Sequence, residues 1–166
     1  MLNPSIYLET SIIGNLTNRP SSNINIESHR QLTLRWWNEQ RNAYHLVIAD
    51  PVMAEISRGD PIAVRERLRL VDGLTVLPMT PAIFDTSAEL VRAHALPDRA
   101  LVDAMHIATC CHYRIDILLT WNCNHIANPH ILKSVRDLIR KVNLWMPEVA
   151  TPESLLGASK NVGPHP

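Results

Sequence analysis

The chain has 166 residues and a formal net charge of zero, with 46% hydrophobic and 19% charged residues. This length and apolar content fit one globular domain and exclude a disordered chain, while neutrality gives no overall signal for nucleic acid or membrane. Thirteen of the sixteen basic residues are arginine, which holds phosphate oxygens in a fixed fork, although a genomic composition bias explains the excess equally well.

Short aliphatic runs without polar alternation predict strands that are buried on both faces of a sheet. In chain order, the predicted strands are Ser5–Leu8, His45–Asp50, Leu74–Met79, Asp116–Trp121 and a short one around Leu144–Met146. Apolar residues at helical spacing, several of them preceded by Asp-Pro, Thr-Pro or Asn-Pro, predict the helices between the strands. After a short helix behind the first strand, these are Ile26–Asn42, Pro51–Arg58, Pro61–Val71, a helix from Thr80 that ends before Pro97, a helix capped by Asp98, and a helix from Asn128 to Val142.

The alternation of strands and helices predicts an α/β fold in three layers, α/β/α, with a mainly parallel sheet of about five strands. We expect one domain over residues 1–150, because the sequence has neither internal repeats nor a linker. Residues 151–166 contain two glycines and end in two prolines, and they are predicted to form a flexible C-terminal tail.

The N-terminus, MLNPSIYLET, lacks the basic region and the long apolar region of a signal peptide. No apolar run reaches the roughly 18 residues of a membrane-spanning helix. Three cysteines do not make the disulfide framework of a secreted protein. We therefore predict a cytoplasmic protein that does not associate with membranes.

Three carboxylates are expected near the carboxyl ends of the strands, where active clefts form in parallel α/β folds. Glu9 follows the first strand, Glu55 lies in the helix after the second, and Asp103 lies on an otherwise apolar helix before the fourth. Like charges that converge there repel one another, and a divalent cation removes the repulsion. Oxygen ligands suit Mg²⁺ or Mn²⁺, which activates water and stabilises the charge added in phosphodiester cleavage.

Smaller polar side chains accompany these carboxylates. Ser11 follows Glu9 by two residues, and Thr120 and Asn122 stand at the end of an otherwise aliphatic strand. Buried polar groups of this kind cost stability unless they have partners. We expect them to support the same cleft.

Each of these residues also has an ordinary structural interpretation, which the sequence leaves open. Glu9 fits a helix cap, Asn122 fits a turn residue, and the hydroxyls of Ser11 and Thr120 can be satisfied by the backbone. Glu55 can pair with Arg58, and Asp103 can pair with Arg99 or His106 on its own helix.

Cysteines and histidines in the C-terminal half raise the alternative of a zinc site, which needs four such ligands in tetrahedral geometry. The residues concerned are Cys110, Cys111, His112, Cys123, His125 and His130. Their spacing fits no usual zinc pattern, and two adjacent helical residues point about 100° apart. Burial as ordinary core residues is the favoured interpretation of the cysteines.

Four segments together resemble the PIN domain, in its VapC-like branch of toxin ribonucleases. These segments are YLETS near the N-terminus, ADPVMAEISRGD around Glu55, DAMHIATC around Asp103 and LLTWNCNHIAN after the fourth strand. The resemblance extends from Ile6 to about Ala150. Its specificity comes from the order and spacing of the four segments, since each alone is a weak signal.

The resemblance implies a role for each site residue. Glu9 stands where the family has its first aspartate, Glu55 is the second-motif glutamate and Asp103 is the third-motif aspartate. These three are the implied ligands of Mg²⁺ or Mn²⁺, and Asn122 stands where many members have a fourth acid. Ser11 and Thr120 match small hydroxyl residues of the first and fourth motifs, which implies that they support the site.

The activity that the resemblance implies is a metal-dependent endoribonuclease, which cleaves RNA phosphodiesters with metal-activated water. Such a protein is typically the toxin of a type II toxin–antitoxin pair. Its expected partners are RNA, a small antitoxin and a second copy of the chain in a homodimer. Either Glu55 or Asp103 is expected to orient or deprotonate the water.

Two departures from the family pattern favour an alternative function. Glu9 is one methylene longer than aspartate, and Asn122 keeps an oxygen but loses a charge. The alternative is a non-catalytic RNA-binding or protein-interaction module on a PIN scaffold.

Three arginines are candidates for gripping an RNA backbone. Arg58 follows the Glu55 helix, and Arg65 and Arg69 stand four residues apart in the next one. A solvated helix face is the competing interpretation of all three.

Overall fold

The computed structural model describes residues 3–158. The strands are Ser5–Leu8 (β1), His45–Ala49 (β2), Thr75–Leu77 (β3), Ile117–Leu119 (β4) and Glu148–Ala150 (β5). The α-helices are Thr10–Thr17 (α1), Ile24–Gln40 (α2), Asp50–Ile56 (α3), Pro61–Val71 (α4), Pro81–Arg92 (α5), Leu101–His112 (α6), Pro129–Lys141 (α7) and Pro152–Ala158 (α8), and a 3₁₀ turn covers Arg41–Ala43. Among residues 3–158, no helix is long and apolar enough to cross a membrane.

Within these residues the sheet has five strands in the order β3-β2-β1-β4-β5, and every neighbouring pair is parallel. Because parallel crossovers are right-handed, the helices between β1 and β3 cover one face and α5 to α7 cover the other. The contacts agree, since α1 packs on α2, α3 and α4, and α5 packs on α6. The predicted three-layer α/β/α fold with a parallel sheet is confirmed.

The aliphatic composition of the strands follows from this architecture. The side chains of Ile6, Tyr7 and Leu8 in β1 are fully buried, as are those of Leu118 and Leu119 in β4. Helices cover both faces of the sheet, so neither face of a central strand tolerates a solvated residue. β1 and β4 thus form the rigid centre from which the following polar residues emerge.

The predicted start and end of several elements are wrong. The last strand begins at Glu148, whose backbone N–H donates to Asp116 O at 2.9 Å. The segment around Leu144–Met146 is instead fixed by Trp145, whose Nε1 donates to Ile115 O at 2.7 Å. The sequence does not distinguish the two cases, because a paired strand and an anchored loop segment both contain apolar residues.

Two acidic residues do not cap helices as predicted. Asp98 lies before α6, but the N-cap position is Ala100, which makes no side-chain cap hydrogen bond. Asp50 is the first residue of α3 rather than its cap. Its carboxylate accepts the backbone N–H of Met79 at 2.8 Å, so it ties α3 to the segment that follows β3.

The tail predicted from residue 151 is wrong for its first part. The helix α8 covers Pro152–Ala158 and packs on α2, with Leu156 6% exposed. Thr151 and Ser154 hold its start, since Ser154 N donates to Thr151 Oγ1 at 3.2 Å. Residues 159–166 of that predicted tail lie outside the described residues.

Replacement of Leu118 by alanine tests the central position of β4. Leu118 is fully buried, so Leu118→Ala leaves a cavity and lowers the free energy of unfolding by about 2 to 5 kcal/mol. Chemical denaturation measures the change. The control is Ile24→Ala, where the side chain is 84% exposed and the effect stays within about 0.5 kcal/mol. Equal small effects at both positions would contradict this packing.

Candidate functional site

The site forms where three neighbouring strands end. Glu9 directly follows β1, Thr120 follows β4, and Glu55 lies on α3 directly after β2. The backbone N–H of Glu9 donates to Leu119 O at 3.1 Å, which joins the two central strand ends. In the sheet, β1 lies between β2 on one side and β4 on the other, so the connections on its two sides run in opposite directions. Ligands of open parallel sheets bind in the crevice at this reversal.

Glu9 is held by the residues around it. It occupies the N-cap of α1, and its Oε2 accepts the backbone N–H of Ser11 at 3.1 Å and the Ser11 hydroxyl. The same oxygen accepts the hydroxyl of Thr120 at 2.7 Å. A carboxylate at a helix N-terminus is stabilised by the exposed N–H groups and the helix dipole. Within residues 3–158, Oε1 of Glu9 takes part in no hydrogen bond, so it remains available to a ligand.

Glu55 is fixed in the same manner from the neighbouring strand end. Its Oε2 accepts the hydroxyl of Thr10 and lies 3.0 Å from Nε2 of His106. Burial raises the pKa of this carboxyl, but the hydrogen bonds from His106 and Thr10 outweigh burial and leave the pKa below its ordinary value. Glu55 is therefore held as a carboxylate.

His106 brings a third group to the same place. Its ring is 1% exposed, and the ligand atoms of Glu9, Glu55 and His106 all lie within 4.8 Å of one another. Two ionised carboxylates at that separation repel by roughly 3 kcal/mol at an effective dielectric constant near 20. A divalent cation would relieve the repulsion, and carboxylate oxygens are the donors that Mg²⁺ and Mn²⁺ prefer. This donor set therefore fits the cation expected from the sequence.

Asp103 lies outside this close group. Its Oδ1 accepts the side-chain amide of Asn122 at 2.9 Å, and its Oδ2 lies 2.6 Å from Nδ1 of His125. Asn122 also connects Asp103 to Glu9, because its backbone N–H donates at 2.9 Å to the Thr120 hydroxyl that Glu9 accepts. The two ends of the site thus belong to one hydrogen-bond network.

The ordinary alternatives for Glu55 and Asp103 find no support in these contacts. Within residues 3–158, the ion-pair partner of Asp103 is His125 rather than Arg99 or His106. Glu55 pairs with His106, while Arg58 acts on it only as a nearby charge. For Glu9 both interpretations hold together, since the same carboxylate caps α1 and faces Glu55.

Sequence reasoning misses several residues of the site. It assigns His106 only a salt bridge with Asp103, places Thr10 after the first strand without a partner, and gives Tyr7 and His125 no role in the cleft. His106 stands three residues after Asp103 on the same helix, a spacing that keeps both on one side. Thr10 directly follows Glu9. A polar residue close in sequence to a candidate ligand is the available signal in both cases.

In the described part of the chain, the cysteines and histidines considered for a zinc site do not form a cluster of ligand atoms. Cys110 and Cys111 are buried, Cys123 is exposed, and none of them belongs to the group of ligand atoms around Glu9. His112 lies 2.8 Å from the Thr86 hydroxyl. The three candidate RNA-binding arginines, Arg58, Arg65 and Arg69, are exposed. The charge of Arg58 acts on Glu55 and lowers its pKa.

The fold and the site together match a known family. The family model of the PIN domain matches residues 6–128, which is well over half of the chain. The chain belongs to the PIN domain family, as the resemblance in its sequence predicted. No curated protein matches it at a significant level.

Three solved structures with the same fold are named as a VapC toxin or as VapBC proteins. VapC20 of Mycobacterium tuberculosis, described as a toxin that cleaves the sarcin-ricin loop, is 20% identical with a TM-score of 0.54, covering 69% of this chain and 87% of its own. VapBC2 of Rickettsia felis, bound to a promoter DNA fragment, is 13% identical with a TM-score of 0.55, covering 88% and 97%. VapBC-1 of nontypeable Haemophilus influenzae is 16% identical with a TM-score of 0.53, covering 89% and 98%.

Removal of the Thr120 hydroxyl tests the network that holds Glu9. Thr120→Val keeps the side-chain shape but leaves Glu9 Oε2 and the Asn122 N–H without this partner, so we expect a loss of about 1 to 3 kcal/mol in unfolding free energy. Chemical denaturation measures it. The matched control is Thr109→Val, another buried threonine whose hydroxyl bonds the helix carbonyl of Met105 and whose removal costs under about 1 kcal/mol. A smaller effect at Thr120 than at Thr109 would refute the network.

Proposed function

We propose that this protein is a divalent-metal-dependent endoribonuclease and the toxin of a type II toxin–antitoxin pair. One observation carries the proposal: the Glu9 and Glu55 carboxylates converge at the crevice of a PIN domain, each held by a neighbouring hydroxyl. Such a pair attracts a cation. The fold shared with VapC toxins supports the same conclusion.

The proposed ligands of Mg²⁺ or Mn²⁺ are first Glu9 and Glu55. Each uses Oε2 for hydrogen bonds from the protein and has Oε1 available for the cation. When bound, the cation supplies positive charge that polarises a water and stabilises the charge added at phosphorus. The longer side chain of Glu9, compared with the usual aspartate, is compatible with this role because its position is fixed by Ser11 and Thr120.

Asp103 takes a different part in the proposed reaction. Mg²⁺ and Mn²⁺ commonly keep several waters when they bind proteins, and Asp103, which lies outside the close group, would act on a water rather than bind the ion. We assign to Asp103 the orientation of the attacking water and the removal of its proton. Asn122 and His125 hold its two oxygens, and His125 lies where it can share the proton that Asp103 receives.

The partners of the proposed toxin follow from its relatives. The Rickettsia and Haemophilus structures are VapBC assemblies, and we propose that a small antitoxin neutralises this chain as well. Homodimer formation and a cytoplasmic location remain predictions. Gel filtration with light scattering measures the first directly.

An RNA cleavage assay tests the activity. The wild type is incubated with a mixed RNA substrate in Mg²⁺, in Mn²⁺ and in EDTA, beside Asp103→Asn and Glu55→Gln. We expect metal-dependent cutting and a decrease of at least about 100-fold in rate for both variants, because each removes a charge that the reaction uses. The matched control is Asp137→Asn on α7, an exposed acid whose ion-pair partner is Arg140 rather than a residue of the site, and this variant should cut at the wild-type rate.

Either of two results would contradict the nuclease. Cutting that survives EDTA, or that persists in both variants, points to a contaminating enzyme. No cutting by a folded wild type that binds Mn²⁺ favours the non-catalytic module, for which the occupied oxygens of Asp103 are the supporting observation.

The exposed arginines of α4 provide a test of substrate binding. The double variant Arg65→Gln/Arg69→Gln should raise KM for RNA. For each phosphate that the pair neutralises in the wild type, the slope of log affinity against log salt concentration should become shallower by about 0.7. Its control is Arg136→Gln/Arg140→Gln on α7, where two exposed arginines have the same four-residue spacing. An equal change in both double variants would show a general charge effect rather than an RNA-binding face.

A further inference from the structure

A buried row of polar contacts runs from the centre of the sheet to Glu55. The hydroxyl of Tyr7, in β1, lies 2.7 Å from Nδ1 of His106, and Nε2 of His106 lies 3.0 Å from Glu55 Oε2. Tyr7 is 0% exposed and His106 is 1% exposed. The roles implied by the family resemblance fall on neither Tyr7 nor His106. A tyrosine and a histidine at such depth cost stability unless their polar atoms are used.

The positions of the hydrogens follow from the contacts. The Tyr7 hydroxyl is buried 2.7 Å from Nδ1 of His106, a distance at which one of the two groups donates a hydrogen and the other accepts it. That O–H needs an acceptor, and within residues 3–158 its hydrogen-bond partner is Nδ1 of His106. Nδ1 is then a lone pair and Nε2 carries the hydrogen. This tautomer directs an N–H toward the negative oxygen of Glu55.

The reverse arrangement leaves two groups unsatisfied. If Nδ1 carried the hydrogen, the Tyr7 O–H would have no acceptor, and a lone pair on Nε2 would face the Glu55 carboxylate at 3.0 Å. A buried donor without a partner costs about 1 to 3 kcal/mol. Direct binding of a cation by His106 would also require a lone pair on Nε2. It would therefore leave the Tyr7 O–H without an acceptor in the same way.

We propose that His106 is a positioning residue whose Nε2–H, fixed by the Tyr7 hydroxyl, holds Glu55 Oε2 so that Oε1 is presented to the cation. This inference deepens the proposed function and rests on it. His106 belongs to the close group of ligand atoms, yet its role is that of a donor to a ligand. Partners that orient a metal ligand typically change metal affinity by about 10- to 100-fold when they are removed.

Two substitutions of His106 separate its two nitrogens. In His106→Gln the side-chain amide reaches the position of Nε2 and can still donate to Glu55, whereas in His106→Asn the shorter amide reaches only the position of Nδ1 beside Tyr7. Tyr7→Phe removes the hydroxyl and leaves the core shape intact. Thermal unfolding of each variant shows whether it is folded before binding is measured.

Binding of Mn²⁺ alone, followed by the electron paramagnetic resonance of the free ion, provides the first measurement. We expect Kd to rise about 10- to 100-fold in His106→Asn, to stay within about threefold of wild type in His106→Gln, and to rise by a smaller factor in Tyr7→Phe. Equal weakening in the Gln and Asn variants, or unchanged binding in both, would overturn the positioning role. Absence of Mn²⁺ binding in the wild type would overturn this inference and the metal-dependent function together.

The imidazole tautomer provides a second measurement that needs neither metal nor RNA. Long-range ¹H–¹⁵N correlation spectra of the metal-free wild type, assigned to His106 by comparison with His106→Gln, should show a hydrogen on Nε2 and a lone pair on Nδ1. A lone pair on Nε2, or hydrogens on both nitrogens, would overturn the inference. If the tautomer and the order of Mn²⁺ affinities are as expected but RNA is not cut, the nuclease fails while the positioning of Glu55 stands.

Discussion

The carboxylates of Glu9 and Glu55 lie close together at the strand ends, and the contacts around them have to accommodate that approach. A parallel sheet brings the ends of β1 and β2 side by side, and α3, which starts directly after β2, places Glu55 near Glu9. Donors surround both acids: Ser11 and Thr120 for Glu9, and Thr10 and His106 for Glu55. Around Glu55 these hydrogen bonds outweigh burial and leave its pKa below the ordinary value. Two acidic side chains held at short range in this way are the arrangement that a cation site requires.

Much of the fold was predictable because hydrophobic pattern and topology agree. Uninterrupted aliphatic strands alternating with helices allow little besides a covered parallel sheet. The incorrect predictions concern segments whose sequence pattern fits two different structures. An apolar segment anchored by Trp145 resembled a strand, and Asp50 before a proline resembled a cap although its carboxylate binds Met79 N. Helix α8 was missed because its stability comes from packing on α2, a contact distant in sequence.

The sequence predicted that the site lies at the strand ends, but it did not predict which side chains contact one another there. Glu9 and Glu55 could be paired from sequence because each follows a strand of the same sheet. Asp103 and His106 stand three residues apart on α6, and the sequence does not tell which of them approaches Glu55 more closely. That choice depends on the rotation of α6 about its axis, which is set by packing chiefly against α5 and also against α3 and β4. The roles of Tyr7 and Thr10 were not predicted for a related reason. A side chain close in sequence to a ligand can point toward the site or away from it.

The residues Tyr7 to Ser11 form one continuous segment, where the central strand passes into α1, and they provide donors to both acids. Amide hydrogens in a central strand of a small domain exchange with solvent mainly through opening of the whole domain. Glu9 is thus continuous with a central strand, and Glu55 is tied to the same segment through the Thr10 hydroxyl. The RNA that we propose as substrate would meet a preformed arrangement, so the entropy cost of ordering on binding would fall mainly on the RNA.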